Sequence, residues 1–133
     1  MKILIIIHNR LGTGPFLKVL EFCKLLSHLN NEVTLVCTSN SNKFRAKLYK
    51  LDLINIIEAP DLFIGKLRQG IDLWNSLIGY LVLRKQNYDL IHAIDCRPTV
   101  IIPAIALKIR LHIPLIISWW DDFSRNGTIK ERN

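Results

Sequence analysis

The sequence predicts an α/β fold: a Rossmann-like doubly wound parallel sheet of about five strands, with helices on both faces. Short runs of β-branched and leucine residues lack polar alternation, which is typical of strands buried on both faces of a parallel sheet. Helical segments separate most of these runs. The length of 133 residues is that of one domain. Right-handed crossovers then favour the strand order 3-2-1-4-5.

The first half of the chain begins with a strand, Ile3 to Ile7, followed by an amphipathic helix from about 15 to 29. This helix can start at a proline because the missing N–H lies in its first turn. The second and third strands are Val33 to Cys37 and Leu53 to Ile57. Between them, the basic segment Lys43 to Lys50 predicts one or two helical turns.

The second half repeats the alternation. A long helix from about Ile71 to Lys85 precedes a fourth strand, Leu90 to Ile94. A helix from Pro98 to about Arg110 leads to a fifth strand, Leu115 to Trp119. Because Pro103 cannot donate an intrahelical hydrogen bond, we expect a kink or a later helix start there.

Composition narrows the function classes. Hydrophobic residues make up 50% of the chain and charged residues 22%, which excludes intrinsic disorder. The net charge of +7 favours an anionic partner, but the cations are spread over several loops, so nucleic acid is not expected. Three widely spaced cysteines fit a reducing cytosol better than a disulfide framework or a zinc site. No apolar run is long enough for a secretory signal or a membrane span, so we expect a cytoplasmic protein.

Peripheral contact with the inner face of a membrane is a further hypothesis. The stretch 62–68 is apolar with interspersed positive charges, and the segment 43–50 adds more cations. Basic residues near an anionic leaflet contribute about 1 kcal/mol each. The alternative is that both segments are ordinary solvated loops.

Ligands of open α/β sheets bind beyond the carboxyl ends of the strands, where the strand order reverses. Gly12, Thr13 and Gly14 follow the first strand at this edge. Glycines allow close approach of a ligand and a helix N-terminus attracts anions, so a phosphate- or sugar-bearing ligand and a plain turn both fit. Leu17 replaces the third glycine of the dinucleotide fingerprint, and no acidic residue ends the second strand, which argues against NAD.

Two further groups follow the fourth and fifth strands. Asp95 is either a helix cap or a ligand group, and Arg97 can pair with a phosphate, whereas His92 inside the strand fits a core histidine. After the fifth strand, aromatic faces can stack on sugars, and a carboxylate can orient or deprotonate a hydroxyl. The residues concerned are Trp120, Asp121, Asp122 and Arg125. A solvated acidic turn is the alternative.

The segments that carry a family resemblance are Met1 to Leu4, Gly12 to Pro15, Tyr88 to Ala93, Asp95 to Thr99, Ile113 to Ile116 and Gly127 to Arg132. In order and spacing they resemble the N-terminal domain of glycosyltransferase family 4. The resemblance covers nearly the whole chain. It implies that residues 1–133 are the acceptor-side Rossmann-like domain of a GT-B enzyme, with the C-terminal donor domain absent.

The family transfers a sugar from a nucleotide-sugar donor to an acceptor, here a glycan or a lipid-linked precursor, without a metal or other cofactor. The resemblance implies a retaining hexosyltransferase in which Asp121 is catalytic and Gly12 and Gly14 approach the donor phosphates. The substrate would also contact Thr13, Asp95, Arg97, Trp120, Asp122 and Arg125. We expect the isolated chain to be inactive, since one wall of the cleft is missing. The alternatives are a non-catalytic binding or anchoring subunit of a split glycosyltransferase and an unrelated nucleotide-binding Rossmann module.

Overall fold

A computed structural model describes residues 1–64 and 70–119. Within these ranges the chain forms a single sheet with helices on both faces, which confirms the predicted α/β class. The elements are β1 (Lys2–Arg10), α1 (Gly14–His28), β2 (Glu32–Thr38), β3 (Lys47–Leu51), β4 (Ile54–Ala59), α2 (Leu73–Leu83), β5 (Leu90–Ile94), α3 (Pro98–Leu111) and β6 (Leu115–Ser118).

The sheet has six strands in the order β3-β4-β2-β1-β5-β6, so the predicted count of five and the order 3-2-1-4-5 are wrong for the sheet as a whole. The difference lies at one edge, where β3 pairs antiparallel with β4. The other neighbouring pairs are parallel. The sheet is therefore mixed, with a Rossmann-like parallel part.

The segment expected to form helical turns became β3 because a two-residue hairpin joins it to β4. Leu51 pairs with Ile54, and Asp52 between them adopts a left-handed φ of 53°. Short hairpin loops require this conformation, which Asp tolerates better than most residues. Tyr49, at the centre of β3, packs against the core next to α1, so side-chain burial reinforces the pairing.

The core consists of two layers, one on each face of the sheet. Alternate residues of β1 point in opposite directions, so Ile3 and Ile5 pack with α1, while Leu4 and Ile6 pack with α2 and α3. Burying each such side chain contributes about 1.5–3 kcal/mol. This two-sided burial explains why Ile3 to Ile7 of β1 form an uninterrupted apolar run.

The third helix runs without interruption from Pro98 through Pro103, so a later start is excluded. Val100, Ala104 and Leu107 are fully buried against the sheet, and this packing compensates for the backbone hydrogen bond that Pro103 cannot make. Among the described residues, we find no helix that combines the length and the apolarity needed to cross a bilayer.

Candidate functional site

The central strand β1 lies between β2 and β5, and the order of the parallel strands reverses there. Its carboxyl end is therefore the switch point at which open α/β sheets bind ligands. The strand extends three residues beyond the predicted Ile7, and this extension includes His8. Asp95 follows β5 directly, and Arg97 precedes α3. Residues that are far apart in sequence thus converge at one place.

A cluster of His8, Asp95 and Arg97 occupies the switch point. Nδ1 of His8 lies 3.3 Å from Oδ2 of Asp95, and Nε of Arg97 lies 3.5 Å from the same oxygen. All three side chains are less than one-fifth exposed. One carboxylate oxygen therefore faces both an imidazole and a guanidinium where little water reaches, so its electrostatic interactions are weakly screened.

The backbone at Asp95 is strained. Its φ is 89°, a region that non-glycine residues rarely occupy and that costs on the order of 1–3 kcal/mol. The conformation is held by a hydrogen bond from the Asp95 N–H to the carbonyl of Ser118 at 2.8 Å. Its Oδ1 accepts from the N–H of Cys96 at 2.6 Å. The helix N-cap is Arg97, so the interpretation of Asp95 as the cap is wrong.

The cluster has a defined chemical capacity. A carboxylate next to an imidazole can orient a hydroxyl or accept its proton, provided that the hydroxyl oxygen comes within hydrogen-bond distance. A guanidinium can hold the carboxylate in place or bind a phosphate oxygen. Strained backbone is found preferentially at functional sites, and it persists only where surrounding contacts hold it in place.

The predicted glycine turn lies next to this cluster, between His8 and α1. Gly12 has a φ of 82°, which favours glycine, and a Cβ added there would meet no atom within 4 Å. Thr13 is the N-cap of α1, but its Oγ1 donates to the carbonyl of Arg10 at 2.8 Å instead of capping the helix. Gly14 is the first residue of α1, with open space around it. The turn therefore presents backbone to the outside.

Two contacts hold the turn against neighbouring loops. Arg10 forms an ion pair with Asp61, which follows β4, and both side chains are mostly buried. Asn40 Nδ2 donates to the carbonyl of Leu11 at 2.9 Å. The position of the glycines is thus fixed by the loops that follow β2 and β4, which is the preorganisation that a binding turn requires.

A groove of about 720 Å³ lies on the α1 face of the sheet and is lined by Lys18, Val19, Phe22, His92, Ile94 and Trp119. Nε2 of His92 lies 2.7 Å from Oγ of Ser118, and its ring makes an edge-on contact with Phe22. Burial lowers the pKa of His92. The histidine is therefore hydrogen-bonded and part of the packing, as expected, and the described lining of the groove does not include Asp95.

The remaining predicted site residues, Trp120, Asp121, Asp122 and Arg125, lie outside the residues that the structure describes. Their proposed roles stay predictions. Among residues 1–64 and 70–119, no group of three or more His, Cys, Asp or Glu side chains is placed to hold a metal ion. The cysteines are free, and burial raises the pKa of Cys23 to about 12.

The sequence predicted that Asp95, Arg97 and the glycine turn lie at one edge of the sheet. It assigned no role to His8 and did not predict the Arg10–Asp61 ion pair. The available signal was position: His8 immediately follows five buried apolar residues of the central strand. A polar residue at that point must lie at the carboxyl edge, next to whatever ends the neighbouring strand. Neither a scan against models of known protein families nor a search of curated proteins finds a match for this chain.

Proposed function

We propose that this chain is the acceptor-side Rossmann-like domain of a GT-B glycosyltransferase. It would help to transfer a sugar from a nucleotide-sugar donor to a glycan or lipid-linked acceptor. The observation that carries the proposal is the buried His8–Asp95–Arg97 cluster at the switch point, next to a glycine turn. This placement unites a hydroxyl-orienting group with an anion-binding backbone, and glycosyl transfer from a diphosphate needs both.

In the proposed reaction, the bond between the sugar's anomeric carbon and the donor phosphate oxygen breaks. A bond forms from the acceptor hydroxyl oxygen to that carbon, and the hydroxyl proton passes to a base or to the leaving nucleoside diphosphate. Asp121 is the proposed catalytic carboxylate. Asp95 and His8 would orient the acceptor or the phosphate-bearing group at the switch point.

The start of α1 supports a role in phosphate binding. The backbone N–H groups in the first turn of a helix attract anions, and the effect adds to the helix dipole. Within the described chain no side chain caps α1, and Gly12 and Gly14 leave open space around the turn. Arg97, 3.5 Å from the Asp95 carboxylate, could supply a cation to the same phosphate.

The proposal can be tested on the 133-residue chain by titration with uridine diphosphate and guanosine diphosphate, followed by amide NMR. We expect weak binding, with the largest shifts at Gly12, Gly14 and Arg97, because these residues form the start of α1 and the neighbouring cluster. Asp95→Asn should alter the shifts at Arg97 and change the affinity. Asp89→Asn is the matched control, since Asp89 is exposed at the opposite edge of the sheet.

Two outcomes would contradict the proposal. Tight binding of NAD⁺ with shifts at the same turn would favour an unrelated nucleotide-binding module. The absence of a response to either nucleoside diphosphate at millimolar concentration would remove the phosphate-binding role of α1.

A further inference from the structure

The second helix packs against the protein mainly through polar and small residues, unlike an ordinary surface helix. Its fully buried positions include Asn75, Ser76 and Gly79. Asn75 Nδ2 donates to the carbonyl of Pro60 at 3.0 Å, and Ser76 Oγ donates to the carbonyl of Pro98 at 3.1 Å. Polar and small side chains thus attach α2 to the body of the protein. Leu83 at the end of the helix is also buried, whereas the apolar residues of its first two turns are exposed or partly exposed.

The outward side of α2, called here the apolar face, consists of Leu73, Trp74, Leu77, Ile78 and Leu81. Leu73 is 66% exposed and Leu77 is 47% exposed, while the other three are partly exposed. The spacing of three and four residues places all five on one stripe. No residue of Leu73–Leu83 carries a charge, so this stripe is an unusual surface for water to contact.

The apolar face continues into the loop before β3. Nε1 of Trp74 donates to the carbonyl of Phe44 at 3.3 Å, which places Phe44 next to the start of α2. The Phe44 side chain is 62% exposed, and Ile71 before the helix is 48% exposed. The exposed apolar surface is therefore contiguous across two segments and not a set of scattered residues.

Exposed cations border this surface. Lys43, Arg45 and Lys50, called here the basic edge, lie on both sides of Phe44 or in β3, and no acidic residue occurs between them. At the other end of α2, Arg84 and Lys85 are also exposed. Apolar side chains including Trp and Phe, surrounded by Lys and Arg, are the pattern of segments that lie in the interface of an anionic bilayer.

We propose that the apolar face of α2, together with Phe44 and the basic edge, docks this protein on an anionic membrane surface. The helix has 11 residues and is thus about 16 Å long, whereas a bilayer core is about 30 Å thick, so α2 would lie in the interface and not cross it. Charge complementarity selects the lipid surface: the cations around the apolar residues match anionic headgroups. The proposal does not depend on the sugar-transfer function.

The test is flotation of the full chain with phosphatidylcholine vesicles, with and without phosphatidylglycerol, at low and high salt. We expect binding to the anionic vesicles that weakens at high salt. Lys43→Gln/Arg45→Gln should reduce the partition coefficient at low salt about tenfold or more. Leu73→Gln/Leu77→Gln should reduce it at both salt concentrations, because the apolar contribution is not screened.

Matched variants act as controls. Lys18→Gln/Lys108→Gln removes the same number of charges at exposed positions outside the basic edge. Leu25→Gln/Leu29→Gln replaces leucines that are 65% and 71% exposed at α1, on the opposite face of the sheet. Both should bind vesicles like the unmodified chain.

Three results would overturn the proposal: no binding to anionic vesicles at low salt, an equal loss of binding in the control variants, or a self-association that Leu73→Gln/Leu77→Gln abolishes without any effect on vesicle binding. The last result would assign the apolar face to a second copy of the chain.

Discussion

The starts of α1 and α2 both lie at the carboxyl edge of the sheet, but only one of the two has its first-turn N–H groups capped by a side chain. Asp72 caps α2: its carboxylate accepts from the N–H of Trp74 at 2.9 Å and from the N–H of Leu62 at 2.8 Å. In α1, no described side chain accepts from the first turn. The third helix also lacks a side-chain cap, but a backbone group takes its place: the carbonyl of Gly70 accepts from the N–H of Thr99 at 3.1 Å.

This difference indicates where the protein keeps hydrogen-bond donors available. A capping side chain stabilises a helix by about 1 kcal/mol, so an uncapped start is a stability cost. Among the helices of the described residues, α1 alone combines this cost with a glycine turn, and it begins four residues after the end of β1. The open start therefore coincides with the switch point, where a ligand could replace the cap.

The largest expected loss of stability comes from adding a side chain at Gly70. Its φ is 92°, and a Cβ there would lie 2.8 Å from Cβ of Arg97 and closer still to its Cδ. Because backbone strain and overlap add, Gly70→Ala should lower the free energy of unfolding by about 3 kcal/mol in urea titrations. Gly14→Ala, where nothing lies within 4 Å and φ is ordinary, should change it by less than about 0.5 kcal/mol. Equal effects would contradict this account of the α3 start.

A medium effect is expected at the α2 cap. Asp72→Ala removes the acceptor of two backbone N–H groups and should cost about 1–2 kcal/mol of unfolding free energy. Thr13→Ala at the start of α1 loses one hydrogen bond to the carbonyl of Arg10 and should cost less, about 0.5–1 kcal/mol. Thermal unfolding of the two variants side by side measures the difference. If Thr13→Ala were the more destabilising change, α1 would have to be regarded as capped.

The smallest effect concerns His92, which packs under α1 against Phe22. Burial lowers its pKa from the ordinary value near 6.5, so the unfolded chain binds a proton more readily than the folded protein. This contribution to stability is complete above pH 6.5 and is lost as the pH falls from there through the folded-state pKa. The stability of His92→Gln, measured by urea unfolding between pH 5 and 7.5, should therefore fall less steeply than that of the unmodified chain. His28→Gln, at an exposed position, is the matched control for the loss of an imidazole.

The sequence predicted the parallel part of the fold well, because its central strands β1, β2 and β4 are buried on both faces and are therefore mostly apolar. It failed at β3, where Lys47, Leu48 and Lys50 remain exposed and burial imposes no pattern. It also left the orientation of α2 open, in which Asn75 and Ser76 are buried while Leu73 and Leu77 are exposed. Periodicity shows that a helix has an apolar and a polar side. It does not show which side packs against the protein when neighbouring carbonyls can accept hydrogen bonds from the polar side.

The candidate site likewise has a part that the sequence predicted and a part that it did not. Asp95, Arg97 and the glycine turn could be placed at the carboxyl edge from strand order alone. The contact of His8 with Asp95 could not, since it depends on the pairing of β1 with β5, on the extension of β1 beyond Ile7, and on the left-handed backbone at Asp95.

The amino-acid sequence by itself determined the alternation of buried strands and helices, because the removal of apolar side chains from water acts on every segment locally. Only the tertiary structure decided which strand ends meet, which helix starts remain uncapped and which apolar side of α2 faces outward. These features depend on contacts between residues that are distant along the chain, and no local pattern encodes such contacts.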